Sequence, residues 1–379
     1  MMNFSRPLLV LTGATGALGS AIISRLLQTY PNADLLAIVR GKSDEEARQR
    51  LAQAIDMPAF WQSQQHRIHV LTGDVSQPDL GMTPEQAQAV SQHCWKLFHF
   101  AANVRFSASL EESIAGNIDC TRTTLAFADR CMAANPTFEL HYASTAYVSG
   151  NRHDAVLEDE LDCGQSFSNP YEQTKLAAEI MVTQARERMP VTIYRPSQVL
   201  CLSADGKVRK LFGFLEFLKL ACSKKAIIPC LPANPQVRTD MVPIDYVCDA
   251  IAWLSQDAES QGKNHLLAAG TARSLPMEIV AEIALSKIRS HAGAAAAPVL
   301  EYVSDQEFQA RAEAGNIHPG LVALLSIYQT YLSWDRDFRT GCTDARLERA
   351  GIRLPDMEQI LRQAVNYVVE QYYPLPKAA

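Results

Sequence analysis

The chain has 379 residues, a formal net charge of −6, 47% apolar residues and nine cysteines. That mild acidic balance leaves no basic footprint for nucleic acid, Met1–Arg6 is too short and polar for a secretory leader, and no stretch approaches the roughly 18 apolar residues of a membrane span. The cysteines run from Cys94 to Cys342 without a Cys-x-x-Cys, which predicts reduced thiols in a cytoplasmic protein rather than a disulfide framework or a metal site.

Leu8–Thr12 is an unbroken apolar run. Glycines follow at 13, 16 and 19, and a helical pattern begins with Ala21, Ile22, Ile23, Leu26 and Leu27. This predicts a buried parallel strand, a tight turn and a helix. Gly13 permits the turn, Gly16 lets the backbone approach a pyrophosphate, and Gly19 lets the helix pack closely on the strand. With Thr12, Thr15, Ala17 and Leu18, these glycines form a candidate dinucleotide-binding turn whose helix N-terminus offers N–H groups to phosphate.

A second strand, Asp34–Arg40, ends in a cation. An NAD site has an acid at this point to bond the ribose 2′-OH, whereas NADP needs a positive charge for its 2′-phosphate. Arg40, followed by Lys42 and by Arg50 on the next helix, therefore favours NADP or NADPH. A third strand, Arg67–Thr72, leads into Gly73-Asp74, and a fourth, Lys96–Phe100, into Ala101-Ala102-Asn103. Strand ends of this kind line a ligand crevice, with Asp74 and Val75 beside adenine and Ala101 and Ala102 beside the adenosine and phosphates. The same alanines also suit plain helix packing.

A long helix, Leu110–Ala134, carries Asn117 and stops before Pro136. Phe138–Ser144 and Val191–Arg195 supply the fifth and sixth strands. This alternation predicts an α/β fold, a Rossmann-type doubly wound parallel sheet, over residues 1–200. After residue 200 the pattern is broken by Gly206, Pro229, Pro232 and Pro235. Asp240–Leu254 reads as helix and Asn264–Ala269 as strand, so 240–270 is expected to return to the first domain, with the rest of 201–379 as a smaller substrate domain. On the helical stretch Leu211–Leu220, Leu211, Phe214, Leu215 and Leu218 share a face with Cys222. Core packing, an acyl channel and a membrane contact remain open for that face. Ala294–Ala297, between Gly293 and Pro298, reads as a connector. Lys207, Arg209, Lys210, Lys224 and Lys225 read as a solvated rim or as a greeting for an acidic partner.

Tyr171 and Lys175 stand four residues apart behind Pro170, which fits a first helical position capped by Ser168 or Asn169. The pair thus shares one helix face, with Tyr171 in the first turn where the helix dipole favours a phenolate. A phenol of pKa near 10 is a poor acid–base group at neutral pH, and a neighbouring ammonium and a positive nicotinamide would both lower it. Thr145, at the end of the fifth strand, can donate a hydrogen bond to a substrate oxygen. Thr145, Tyr171 and Lys175 are the candidate catalytic residues.

Taken together, Thr12–Gly19, Val39-Arg40, Gly73–Gly81, His99–Asn103, Asn117–Thr121, Ser144–Val148, Tyr171 with Lys175, Tyr194–Gln198 and Asp240–Tyr246 resemble the thioester reductase branch of the extended short-chain dehydrogenase/reductases. That branch includes terminal reductase domains of peptide and polyketide synthases, the reductase domain of carboxylic acid reductases, and fatty acyl-CoA reductases. The resemblance implies a Thr145, Tyr171, Lys175 triad, Arg40 and Arg50 at the 2′-phosphate, and Pro196 and Ser197 near the nicotinamide. Asn103, Asn117 and Ser144, within the same motifs, join the expected cofactor set. It also implies a mostly helical C-terminal lid, including Phe338–Gly341 and Leu347–Tyr373, and NADPH-dependent reduction of an acyl thioester to an aldehyde, with the alcohol open as a further product. Phe100 departs from the pattern, which often has a small residue there. Because the first strand starts at once, the acyl group is expected on a separate carrier protein or coenzyme A.

Three rivals stay open. Sugar dehydratases would carry Asp-Glu where Ala146-Tyr147 stand, and epimerases retaining NAD would favour an acid at position 40. A ketone or aldehyde reductase shares the triad and often NADP. A non-catalytic NADP-binding protein usually loses the tyrosine or the lysine, and both are present.

Overall fold

The computed structural model describes residues 4–224, 228–297 and 299–373. It gathers seven strands into one sheet: β1 (Leu8–Thr12), β2 (Asp34–Val39), β3 (Ile68–Thr72), β4 (Cys94–His99), β5 (Glu139–Ala143), β6 (Val191–Pro196) and β7 (Asn264–Leu267). Their order is β7-β6-β5-β4-β1-β2-β3, and every pairing is parallel. β1 and β2 are buried along their whole length, which is why both read as continuous apolar runs rather than alternating ones. Helices α1 (Ala17–Thr29) and α2 (Asp44–Ile55) cover one face together with Ile244–Leu254. Helices Pro84–His93, Cys120–Ala134 and Pro170–Gln184 cover the other.

Beyond β6 the chain leaves the sheet and comes back to its edge, where β7 pairs with β6. Two expected helices differ in detail. The stretch predicted as helix over Asp240–Leu254 is helical only from Ile244; Met241-Val242 is extended and pairs with Gln198-Val199, because Pro243 disfavours helical geometry in the residue before it. The long helix around Asn117 is interrupted by a π-helical turn, Ile114–Asp119, between Leu110–Ser113 and Cys120–Ala134.

The C-terminal part is built from helices Phe214–Lys224, Met277–Ala292, Asp305–Glu313, Pro319–Tyr328, Gly341–Arg349 and Met357–Tyr372. Leu215, Val280, Leu321, Leu361 and Val365 share its core. Phe338, expected in a closing helix, instead lies in a short strand with Asp337 that pairs with Ala155-Val156. Ala294–Ala296 is a single tight helical turn. Pro298, Lys225 and the side chain of Lys224 lie outside the described residues. Among the described residues no helix is long and apolar enough to cross a membrane, and no cluster of His, Cys, Asp or Glu has the makings of a metal site.

The approach of α1 to β1 is the tightest constraint in the sheet. A Cβ on Gly19 would lie 2.1 Å from the Gly13 carbonyl oxygen, whereas one on Gly341 would meet nothing within 4 Å. Gly19→Ala is expected to lower the unfolding free energy by about 1–3 kcal/mol or more, and Gly341→Ala to leave it unchanged or raise it by a few tenths, both read by urea denaturation. Equal stability of the two variants would show that the turn has room the geometry denies.

Candidate active site

The carboxyl ends of β1 to β6 open on one edge of the sheet, and the strand order reverses between β1 and β4, the position where open α/β sheets form a crevice. Gly13 turns the chain there at φ +72°, packed so closely on the next strand that a Cβ would stand 2.5 Å from the Ala101 nitrogen. Gly16 caps α1 with no side-chain hydrogen bond to the first-turn N–H groups. A Cβ at Gly16 would meet only the Gly13 carbonyl, at 3.2 Å. This cradle of bare backbone and a helix N-terminus fits a dinucleotide pyrophosphate. Thr15, Ala17 and Leu18 are partly exposed around it, whereas the Thr12 side chain is buried and hydrogen-bonded to His99 Nδ1 at 2.7 Å.

At the end of β2 the exposed Arg40 and Arg50 come together, the Arg50 guanidinium donating to the Arg40 carbonyl, and neither forms an ion pair among the described residues. Asp74 closes a local turn by accepting from Ser76 N at 3.0 Å, and the Val75 carbonyl accepts from the Thr123 hydroxyl. Ala101, Ala102 and Asn103 are half-buried beside the glycine turn. Asn117, in the π-helical turn, accepts from Asn103 N at 2.8 Å and donates to Thr174 Oγ1 at 2.9 Å, so it fastens this loop to the Tyr171 helix. The Ser144 hydroxyl is turned inward to Glu179, and Ser197 N bonds the Leu267 carbonyl at 3.0 Å. The basic residues expected at a rim are already engaged: Lys207 with Asp56, and Arg209 with the Ala54 carbonyl at 2.8 Å. Lys210 is exposed.

Pro170 opens the Pro170–Gln184 helix, and Asn169 caps it by accepting from Glu172 N at 3.1 Å. Tyr171 therefore sits in the first turn. Thr145, at the end of β5, donates to the Pro196 carbonyl at 3.4 Å. Lys175 is buried, donating to Tyr142 Oη at 2.7 Å and to the Ala143 carbonyl at 2.9 Å. Burial lowers the Lys175 ammonium to about 8. Burial pushes the Tyr171 phenol up to about 12, with the Thr145 hydroxyl acting in the opposite direction. In the chain alone burial is the largest influence on the Tyr171 phenol and outweighs the opposing hydrogen bond of Thr145.

Residues 11–251 match the male sterility protein family of NAD-binding domains. The chain belongs to the male sterility protein family. It lies in the thioester reductase branch of the extended short-chain dehydrogenase/reductases, whose members are NAD(P)-dependent oxidoreductases. It is 31% identical over 268 residues to a linear gramicidin synthase protein of Brevibacillus parabrevis, covering 68% of this chain and 5% of that protein. Fatty acyl-CoA reductase 1 of Xenopus laevis is 25% identical over 286 residues, 65% of this chain and 54% of that one. The terminal R domain from the myxalamid PKS-NRPS pathway superposes with a TM-score of 0.79 at 25% identity, covering 98% of this chain and 92% of that domain. The chain thus spans a small part of the synthase and about half of the curated reductase.

In this member of the male sterility protein family, an apolar chamber lies beside Phe106, which packs on Tyr171. Phe217, Leu218 and Ala221 of the Phe214–Lys224 helix wall it, while Leu215 and Cys222 of the same helix pack into the core. Phe106 stacks on Tyr171 at 5.4 Å and on Tyr331 at 5.3 Å, joining the candidate catalytic tyrosine to the chamber wall. Phe106, Tyr142 and Arg336 escaped the sequence reading. Tyr142 reads only as a strand residue, and Arg336 sits in an irregular segment where no periodicity marks it. The Lys175 geometry predicts that its side chain titrates near pH 8 in the protein alone, charged below and neutral above, as followed by NMR of its labelled ε-carbon. A midpoint near the ordinary 10.5 would contradict the burial described.

Proposed function

We propose that the chain is an NADPH-dependent reductase of an acyl thioester, carried on a carrier protein or coenzyme A, that releases an aldehyde, with the alcohol as the product of a second round. The observation that carries this reading is the convergence of Thr145 and Tyr171 on the crevice edge, with the glycine cradle on one side and the apolar chamber on the other. Arg40 and Arg50, paired by backbone contact and free of acidic partners among the described residues, support the 2′-phosphate of NADPH over NADH. The chamber supports an acyl substrate. Residues 1–200 with 240–270 would form the NADP-binding domain and the remaining C-terminal part the substrate domain. Nine free cysteines agree with a cytoplasmic setting.

When bound, reduced nicotinamide supplies hydride to the thioester carbonyl carbon. Thr145 donates a hydrogen bond to the carbonyl oxygen as negative charge develops there, and a phenol raised to about 12 remains protonated at neutral pH and can give its proton to that oxygen. Collapse of the resulting hemithioacetal releases thiol and aldehyde. Lys175 fixes the end of β5 through Tyr142 and Ala143 and places positive charge beneath the crevice.

Tyr171→Phe is expected to lower NADPH oxidation with an acyl-CoA by roughly a hundredfold or more while leaving NADPH binding intact. Unchanged turnover would remove Tyr171 from the mechanism. Arg40→Ala is expected to raise KM for NADPH at least about tenfold and to leave KM for NADH unaltered. An equal change for both coenzymes would take Arg40 away from the 2′-phosphate.

A further inference from the structure

We infer that Phe106 is a specificity-determining residue: it closes the throat between the apolar chamber and Tyr171 and selects against acyl groups branched at the carbon next to the thioester carbonyl. This rests on the thioester reductase reading and adds to it a limit on the shape of the acyl group. Phe106, Phe212, Tyr328 and Tyr331 line the chamber, whereas Tyr171 and Thr145 are not among its described lining residues. Tyr171 is 8% exposed and Thr145 3%. The hydroxyls that would meet the carbonyl oxygen and the space that would take the chain are therefore separate in this structure. Among the described residues, Phe106 is the chamber-lining ring that stacks on Tyr171.

The Phe106 ring stacks on Tyr171 at 5.4 Å and 27° and on Tyr331 at 5.3 Å and 26°. Phe212 meets it edge-on at 4.9 Å, and Tyr328 lies 5.6 Å away. Rings at these spacings are in packing contact, which leaves no width for a hydrocarbon chain between them. A chain lying in the chamber with its carbonyl at Tyr171 must displace the Phe106 ring, and its first carbons occupy the place the ring leaves. Branches on those carbons are the ones that collide with Phe106. The backbone around the ring is held. Phe106 lies in the irregular stretch 100–109, tied ahead of it by Asn103 N donating to Asn117 Oδ1 at 2.8 Å and behind it by Ser109, which caps the next helix through Glu112. Between these ties Ala108 N donates to the Arg105 carbonyl at 3.2 Å, so the ring yields by a change of rotamer while its loop stays in place.

The test compares two isomers of equal carbon number, octanoyl-CoA and 2-ethylhexanoyl-CoA, in the wild type, Phe106→Ala and Phe106→Leu. The leucine variant keeps an apolar side chain in case the smaller one does not fold. Phe106→Ala is expected to raise kcat/KM for the branched isomer relative to the straight one at least about tenfold, and Phe106→Leu to raise it less. The hindrance intrinsic to the branched carbonyl is the same for every form and cancels in this comparison. In the chain without coenzyme or thioester, N-acetylimidazole is expected to acetylate the Tyr171 hydroxyl about fivefold faster in Phe106→Ala, and to a smaller degree faster in Phe106→Leu, because truncation leaves a cavity over the phenol. The partly exposed Tyr302 serves as the reference, with an unchanged rate read from peptide masses. An unchanged isomer ratio in both variants overturns the inference, and so does unchanged acetylation of Tyr171. If no form reduces either isomer, the thioester reductase reading fails. The ratio of the two dissociation constants, expected to move the same way by about threefold or more, then decides the role of Phe106 in place of kcat/KM.

Discussion

One buried ion pair joins the ends of β5 and β6 to the Pro170–Gln184 helix. Arg195, at the end of β6, is 2% exposed and donates through Nε at 2.8 Å and Nη2 at 2.5 Å to Glu179, which is fully buried in the Pro170–Gln184 helix. The same carboxylate accepts from the Ser144 hydroxyl after β5, and the remaining guanidinium nitrogen bonds the Glu158 carbonyl at 3.1 Å. Two strand ends, one helix and one loop therefore meet on a single pair of charges. Removing one partner of such a pair leaves the other charged and unpaired in the interior, typically at a cost of about 3–5 kcal/mol. The helix that bears Tyr171 and Lys175 is held by this contact, and Ser144 and Arg195 support it.

The electrostatics of that helix follow from burial. An ammonium taken out of water must be hydrogen-bonded, and Lys175 finds its partners at Tyr142 and Ala143 of β5. Its proximity also keeps the buried His99 neutral, with burial as the larger cause. Tyr171 is enclosed by Phe106 and the residues around Tyr328, and so keeps its proton. In the proposed reaction a protonated phenol beside the Thr145 hydroxyl would donate to the oxygen that gains charge.

The C-terminal helices are fastened to this arrangement by aromatic and polar contacts. The Tyr331 hydroxyl donates to Glu172 and accepts from Asn169 at 2.8 Å, so the segment after Pro319–Tyr328 is bonded directly to the first turn of the Tyr171 helix. Tyr328 in turn donates to Glu216 at 2.5 Å, linking the Phe214–Lys224 helix to the same cluster. The chamber walls and the candidate catalytic tyrosine thus share a single packed network, and a change in one alters the shape offered by the other.

The parallel sheet, the glycine turn, the helix carrying Tyr171 and Lys175, and the cation at position 40 were all legible in the chain, because each depends on short-range rules of periodicity, turn geometry and capping. Gly19 is a glycine for the close approach its spacing suggested. Other features were hidden, since they arise where distant segments meet. The direction of Lys175 depends on Tyr142, 33 positions away. The inward turn of Ser144 depends on Glu179, and the buried edge of the chamber on Arg336, Trp334 and Thr239, whose segments carry no pattern of their own. Local sequence determined which elements form and which groups could serve chemistry. Tertiary packing alone decided which of those groups are desolvated, whom they bond, and hence what charge each can hold, because the free energy of a buried polar group is set by partners that no window of sequence contains.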